Sequence, residues 1–161
     1  MVSMAVLALS CGCGLFVKSE LPVTTDATFI ERQAQYYNVT WISPTDIWID
    51  NYYAGATAEY NLTIHNGKDV AIAIKIGSIC PTSTIQGYFV APAKALEWVK
   101  ISDVTFVLAP KETRDIMISL EMPKGASIEF EKWEYRITAF EQGQGNIEKG
   151  MAMRCFVDMK K

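Results

Sequence analysis

Histidine is almost missing from this sequence: His65 is the only one in 161 residues. That scarcity removes most of the chemistry of hydrolases and metalloenzymes. A Ser-His-Asp arrangement would have to use His65, and no G-x-S-x-G elbow is there to present a serine. No H-E-x-x-H, phosphate-loop or dinucleotide glycine pattern occurs either. Cysteine is sparse, with four residues. Cys11-Gly12-Cys13 is not a metal-site spacing, and no second Cys or His pair completes one. Neither a cofactor nor a metal is expected. Charge of one sign is lacking too. The net charge is −3 and the lysines and arginines are scattered, so there is no electrostatic footprint for nucleic acid. Only Lys160-Lys161 cluster, as a solvated tail. The body contains no run of ten or more residues with helical periodicity, no internal repeat and no low-complexity stretch. These absences exclude a helical bundle, a nucleic-acid binder and an ordinary enzyme.

Half of the residues are apolar and a fifth are charged, the balance of a chain with a packed core. The apolar content is uneven. Met1 to Val17 carries no charge, and Lys18 is the first charged residue. Three readings of this segment stay open. A secretory signal has an apolar stretch of roughly 7–15 residues behind positive charge; here the positive leader and a clean cleavage site are missing. A membrane span needs about 20 apolar residues, with a lower limit near 17, which the segment just meets. A strand or helix buried against a partner subunit is the third reading, and would suit a filament. All three place the rest of the chain outside the cytoplasm or inside an assembly. Lipidation at Cys11 fits poorly, because the preceding Ala8-Leu9-Ser10 lacks leucine three places ahead. Residues 18–40 read as a polar linker, with a short helix expected over 26–37 and Asp26 as its cap.

From Trp41 onward the chain alternates in period two. Tyr60, Leu62 and Ile64 alternate with Glu59, Asn61, Thr63 and His65, the mark of a strand with one buried face. Asn66-Gly67 follows, then Val70, Ile72, Ile74 and Ile76 on one face. Residues 57–77 therefore read as a β-hairpin with a tight turn. Residues 78–97 are irregular, with one short strand expected near Gly87–Val90. A second strand pair is expected from Val104, Phe106 and Leu108, then Ile116, Ile118 and Leu120, joined at Pro110-Lys111-Glu112. Trp133, Tyr135, Ile137 and Ala139 lead through Gly143-Gln144-Gly145-Asn146 to Met151, Met153, Cys155 and Val157. This predicts an all-β sandwich of seven to nine strands in one domain, residues 41–161.

Three stretches carry a resemblance. One runs Ile47-Trp48-Ile49, Ala54-Gly55-Ala56-Thr57, then Leu62-Thr63-Ile64-His65-Asn66-Gly67. The second is Phe106-Val107-Leu108-Ala109-Pro110-Lys111-Glu112-Thr113, and the third is Leu120-Glu121-Met122-Pro123-Lys124-Gly125-Ala126. With these turns the body from Pro44 to Val157 resembles the immunoglobulin-like domains of archaeal and bacterial cell-surface and extracellular proteins. The resemblance implies a β-sandwich that accompanies catalytic domains or builds surface layers. The long insertion at 78–100 departs from it. The shared motifs specify turns, not chemistry, and fold alone does not fix function.

Candidate site residues are few. Cys80 and Cys155 are the body cysteines; in an exported chain they could form one disulfide, the alternative being two buried thiols acting as small hydrophobes. Asn38 and Asn61 head N-x-Thr sequons, candidate glycosylation sites in a chain that crosses a membrane with the machinery. Trp41, Trp48, Tyr52 and Tyr53 bunch closely, and a partly exposed set of aromatics anchors a protein interface or stacks on sugar rings. Glu129, Glu131 and Glu134 cluster near Trp133, and paired carboxylates can do glycosidase work, but on a strand Glu129 and Glu131 share one face and read as a solvated edge; Asp46, Asp50 and Asn51 read as turn-forming side chains more than a calcium site. The expected role is a non-catalytic structural or interaction module on a cell or virion surface, a subunit of a membrane-anchored complex or filament. Its partners would be other protein subunits, a membrane through residues 1–17, and a glycan. A carbohydrate-binding accessory domain is the alternative.

Overall fold

The computed structural model describes residues 23–26, 39–142 and 149–160. Two sheets face one another. The larger has seven strands: β1 (Val23–Asp26), β3 (Asp46–Tyr52), β11 (Lys149–Met159), β10 (Lys132–Gln142), β5 (Ile72–Ile79) and β8 (Thr105–Leu108) in that order, with β6 (Phe89–Val90) pairing β10 beyond the end of β5. The smaller runs β2 (Trp41–Ser43), β4 (Thr57–His65), β9 (Thr113–Glu121), β7 (Val99–Ile101). Among the described residues one 3-10 turn, Ala93–Trp98, interrupts the strands. Among the described residues no helix is long and apolar enough to cross a membrane. The strands outnumber the seven to nine expected. The first body strand is cut in two at the cis Ser43–Pro44 bond, where the chain leaves the small sheet for the large one, and β6 and β7 are short additions.

The alternation predicted the buried faces. Leu62, Ile64, Ile116, Ile118 and Leu120 of the small sheet meet Ile47, Ile49, Ile74, Ile137 and Val157 of the large one, all without accessible surface. Each such side chain contributes roughly 1.5–3 kcal/mol by leaving water. Three polar groups meet inside this core. The hydroxyl of Tyr60, on the small sheet, lies 2.5 Å from that of Tyr135 and 3.5 Å from Cys155 Sγ, both on the large one. Burial drives both phenols well above their ordinary range. It also pushes the Cys155 thiol up to about 12, so the trio stays uncharged and its hydrogen bonds tie sheet to sheet.

The expected pairings need correction. β4 and β5 do not form a hairpin: β4 pairs β2 and β9, whereas β5 pairs β10 and β8 in the other sheet. Likewise β8 and β9 lie in opposite sheets. Alternation reports which face is wet; it carries no information on which neighbour a strand bonds. The Asn66-Gly67 pair is an arch between sheets. Asn66 is fully buried, and its Nδ2 donates to the carbonyls of Val70 and Ala109, both at 2.8 Å. Its Oδ1 accepts from the Lys68 amide at 3.0 Å. Gly67 packs on the backbone of Val39, where an added Cβ would stand 2.1 Å from the carbonyl oxygen. Only β10 and β11 make the hairpin that was expected.

The span read as a linker holds β1, which lies antiparallel on β3 with Val23 opposite Ile49 and Asp26 opposite Asp46. Asp26 therefore ends a strand. The rest of the helix expected over 26–37 lies outside the described residues.

Candidate interaction surfaces

The two edges of the large sheet differ. At one, β1 has been laid on β3 by the chain itself. At the other, β8 is bare on its far side among the described residues. Val107 on its outer face is 58% exposed, and Val104 just before it is 56% exposed. Apolar side chains on an unpaired edge are a template for a further strand. Cations lie nearby: the Arg114 guanidinium sits over the Phe106 ring at 4.8 Å, and exposed Lys75 is opposite Thr105.

The end of the sandwich where β3 and β11 finish is lined with aromatics. Phe89 is 54% exposed and stacks on Phe130, with ring centroids 4.4 Å apart. Tyr53 is 36% exposed, with Lys160 Nζ 5.8 Å from its ring centre. A cleft of about 330 Å³ opens between Tyr53, Met122, Ile128, Phe130 and Met159. A second, of about 530 Å³, adjoins it along Asp50, Asn51 and Asp158. Lys132 pairs with Asp158 at 2.5 Å, and among the described residues no three acidic, histidine or cysteine side chains gather to hold a metal ion.

A third feature escaped the sequence reading. Glu134 on β10 points to the outer face of its sheet yet is 0% exposed. Residues from the 80–88 loop fold over it. Arg154 donates to both its oxygens, each at 3.0 Å. Arg136 donates at 3.1 Å and also binds the Ser83 carbonyl, and the Thr84 hydroxyl completes the set. Burial opposes ionisation here, but the hydrogen bonds from Arg154, Thr84 and Arg136 outweigh it and hold the carboxyl below its ordinary range. Two arginines and one acid close together in a small cleft bounded by Ser83 and Ile85 look like a site. Their bonds are spent on each other and on the loop, so the arrangement is an anchor. The sequence signal was available only as an acid on a strand flanked by arginines two residues away and on the next strand.

The predicted site residues divide. Tyr53 is at the surface. Tyr52 is not: it is buried, donating to the Leu120 carbonyl at 2.7 Å and accepting from the Met122 amide at 3.0 Å. Trp41 stacks on His65 at 5.2 Å, and Trp48 on Phe156 at 5.4 Å, both half-buried on the outer faces of different sheets. The four aromatics thus form no single platform for a protein partner or a sugar ring, and Tyr52 is lost to the core. His65 bonds Thr113 at 2.8 Å; burial, then Lys111, lowers its pKa. Asn61 is exposed on β4; Asn38 lies outside the described residues. The Cys80–Cys155 bridge is not formed, and both are free thiols. Cys155 pairs with Tyr135, and Ile79 with Arg136, so β10 runs between the two cysteines. Two strand spacings make roughly 10 Å, beyond the ~7 Å that a disulfide spans.

No protein-family model and no curated protein matches this chain. Solved structures do match. An ASH/PapD-like domain of human CEP192 superposes with a TM-score of 0.57 at 12% identity, covering 76% of this chain and 85% of that one. The periplasmic chaperone SfaE gives 0.54 at 9% identity, covering 76% of this chain and 59% of that one. A chaperone–tip adhesion subunit pre-assembly complex from Csu pili of Acinetobacter baumannii gives 0.50 at 10% identity, covering 76% and 57%. This chain therefore spans less than two thirds of the length of those chaperone chains. At such identities the likeness is one of fold: the described body is an immunoglobulin-like β-sandwich.

Proposed function

We propose that this chain is a non-catalytic interaction module, displayed outside the cytoplasm on a cell or virion surface, that joins a larger membrane-anchored complex or filament through its sheet edges. The observation that carries this reading is the asymmetry of the large sheet. One edge already accepts an added strand, β1, and the opposite edge, β8, stands unpaired among the described residues beside exposed Val104 and Val107. Strand addition at such an edge gives affinity through main-chain hydrogen bonds and specificity through alternate side chains. The PapD-like fold supports the reading, since one neighbour is a chaperone caught with an adhesion subunit. The uncharged segment Met1–Val17 supports display at a membrane. The absence of a histidine pair or a nucleophile elbow in the sequence favours a role without catalysis.

The test is the native size of the material. Light scattering and electron microscopy of protein from its source are expected to show an assembly larger than one chain. Val107→Lys places a charge on the open edge and is expected to release smaller species while leaving the unfolding midpoint in place. Monomers before and after the change would overturn the proposal. An intact assembly in the variant would overturn the use of β8.

A further inference from the structure

The arch between the sheets is built on two residues that carry their own reagent. The backbone nitrogen of Gly67 can attack Cγ of Asn66, since glycine has no Cβ to crowd the approach. A bond forms between that nitrogen and Cγ, and the bond from Cγ to Nδ2 breaks. Nδ2 leaves as ammonia, taking the proton that the Gly67 nitrogen gives up. Water then opens the ring at either carbonyl. One product is aspartate at position 66. The other is isoaspartate, in which the main chain runs through the side-chain carboxyl and is longer by one methylene.

The fold requires both residues. Nδ2 of Asn66 donates to the carbonyls of Val70 and Ala109, each at 2.8 Å, and of Leu108 at 3.3 Å. Its Oδ1 accepts from the Lys68 amide at 3.0 Å, and its own backbone amide donates to the Glu112 carbonyl at 2.9 Å. One side chain thus clasps the approach to β5 and the exit from the edge strand β8. At position 67 any side chain would collide with the backbone of Val39. The closed arch also blocks the reaction. Asn66 has no accessible surface, and moving its Cγ into reach of the Gly67 nitrogen would strip those carbonyls of their donor.

We propose that Asn66-Gly67 is a self-modifying clasp: it loses ammonia only when the arch opens, and the acid left behind cannot close the arch again. An ionised carboxylate offers acceptors alone, so at position 66 it would face three carbonyls and be buried without a partner among them. Isoaspartate would instead displace Gly67 from its fit against Val39. Two of the lost bonds end on Leu108 and Ala109, so β8 is the strand released. Local opening recurs in a folded chain, and each molecule that reacts during one keeps a permanent mark of it. The clasp needs only the described arch and stands whether or not β8 takes part in an assembly.

The full chain is kept in mildly alkaline buffer, either folded or unfolded in urea. Peptide mapping that separates asparagine, aspartate and isoaspartate follows residue 66 over time. The folded chain is expected to react at least about ten-fold more slowly than the unfolded one. Equal rates would mean that the arch protects nothing, and the proposal would be wrong. Chains modified while unfolded are then returned to native buffer. Those with an acid at position 66 are expected to be depleted from the refolded fraction, or to unfold at lower urea than the parent. Full recovery with the parent's midpoint overturns the proposal. Asn66→Asp supplies one product directly. In the same buffer it is expected to lower the urea midpoint at least as far as Asn66→Ala, and to speed amide exchange over residues 105–109 more than in β10 and β11. A midpoint above that of Asn66→Ala would show that a carboxylate recloses the arch. Exchange raised equally in all three strands would overturn the release of β8. If Asn66→Asp does not fold, the time course and the refolding of the parent decide.

Discussion

The two ends of this sandwich are built on opposite principles. At one, around Asn66, Lys68 and Lys111, the arches between sheets are closed by hydrogen bonds and ion pairs. Asn66 binds four neighbouring backbone groups, Lys68 pairs with Glu141, and Lys111 with Asp69 at 3.1 Å. At the other, around Tyr53, Phe89 and Phe130, apolar rings face solvent and clefts open between them. The polar end spends its side chains on holding the fold. The aromatic end is held from within, by Tyr52 and by the Glu134 anchor under the loop that leads to Phe89, and its surface is left over for contact. Mutations at the two ends should therefore separate stability from association.

The largest effect is expected at the anchor. Glu134→Gln leaves two arginines facing a neutral group, and removing one partner of a buried pair costs about 3 kcal/mol or more. Partial exposure of both arginines keeps the loss at the low end. Urea unfolding would measure it, and a loss like that of a surface pair would show that the aromatic end needs no such anchor. The same group sets a pH dependence. Its folded carboxyl titrates below the ordinary 4.5, so the stabilisation is complete above that value and is lost as the pH falls through the lowered folded value. Stability followed from pH 6 to pH 2 should fall less steeply in Glu134→Gln than in the parent.

Asn66→Ala should cost about 2–3 kcal/mol, since buried carbonyls and an amide lose their partner. It should leave the size of the native assembly unaffected, and a change in that size would break the separation of the ends. Tyr52→Phe strands the buried Met122 amide and should cost about 1–2 kcal/mol, read as a lowered melting midpoint. Smallest is Phe89→Ala, expected within about 0.5 kcal/mol of the parent as an exposed substitution. A larger loss in calorimetry would make the Phe89–Phe130 stack part of the fold, and the contrast between the ends would blur.

The faces of the strands were legible in the sequence because burial imposes period two, and Leu62, Ile118 and Tyr135 all turn inward as read. Partners were not legible, since a strand alternates alike whether its neighbour lies next in sequence or far away. Tyr52 was misread for a local reason. With Ile47 and Ile49 inward, parity would send residue 51 inward. Asn51 instead adopts φ 57 and the β3–β11 register slips between Val157 and Met159, so Tyr52 takes the core position. The burial of Glu134 was missed for a distant one: its cover comes from residues 80–88, and nothing beside it in sequence announces them. Cys80 and Cys155 were paired by count, and the strand between them shows why count is not distance.

Among the described strands, β10 and β11 are the only consecutive pair bonded to each other, and they occupy the middle of the large sheet. Every other ladder joins segments that are not neighbours in sequence, so the search for the native arrangement is dominated by long closures and should be slow. During synthesis β3 and β5 must wait for residues 132–159 before either meets its central partner. Until then their apolar faces lack the cover that the finished protein gives them, and a chaperone or rapid export would shelter that interval.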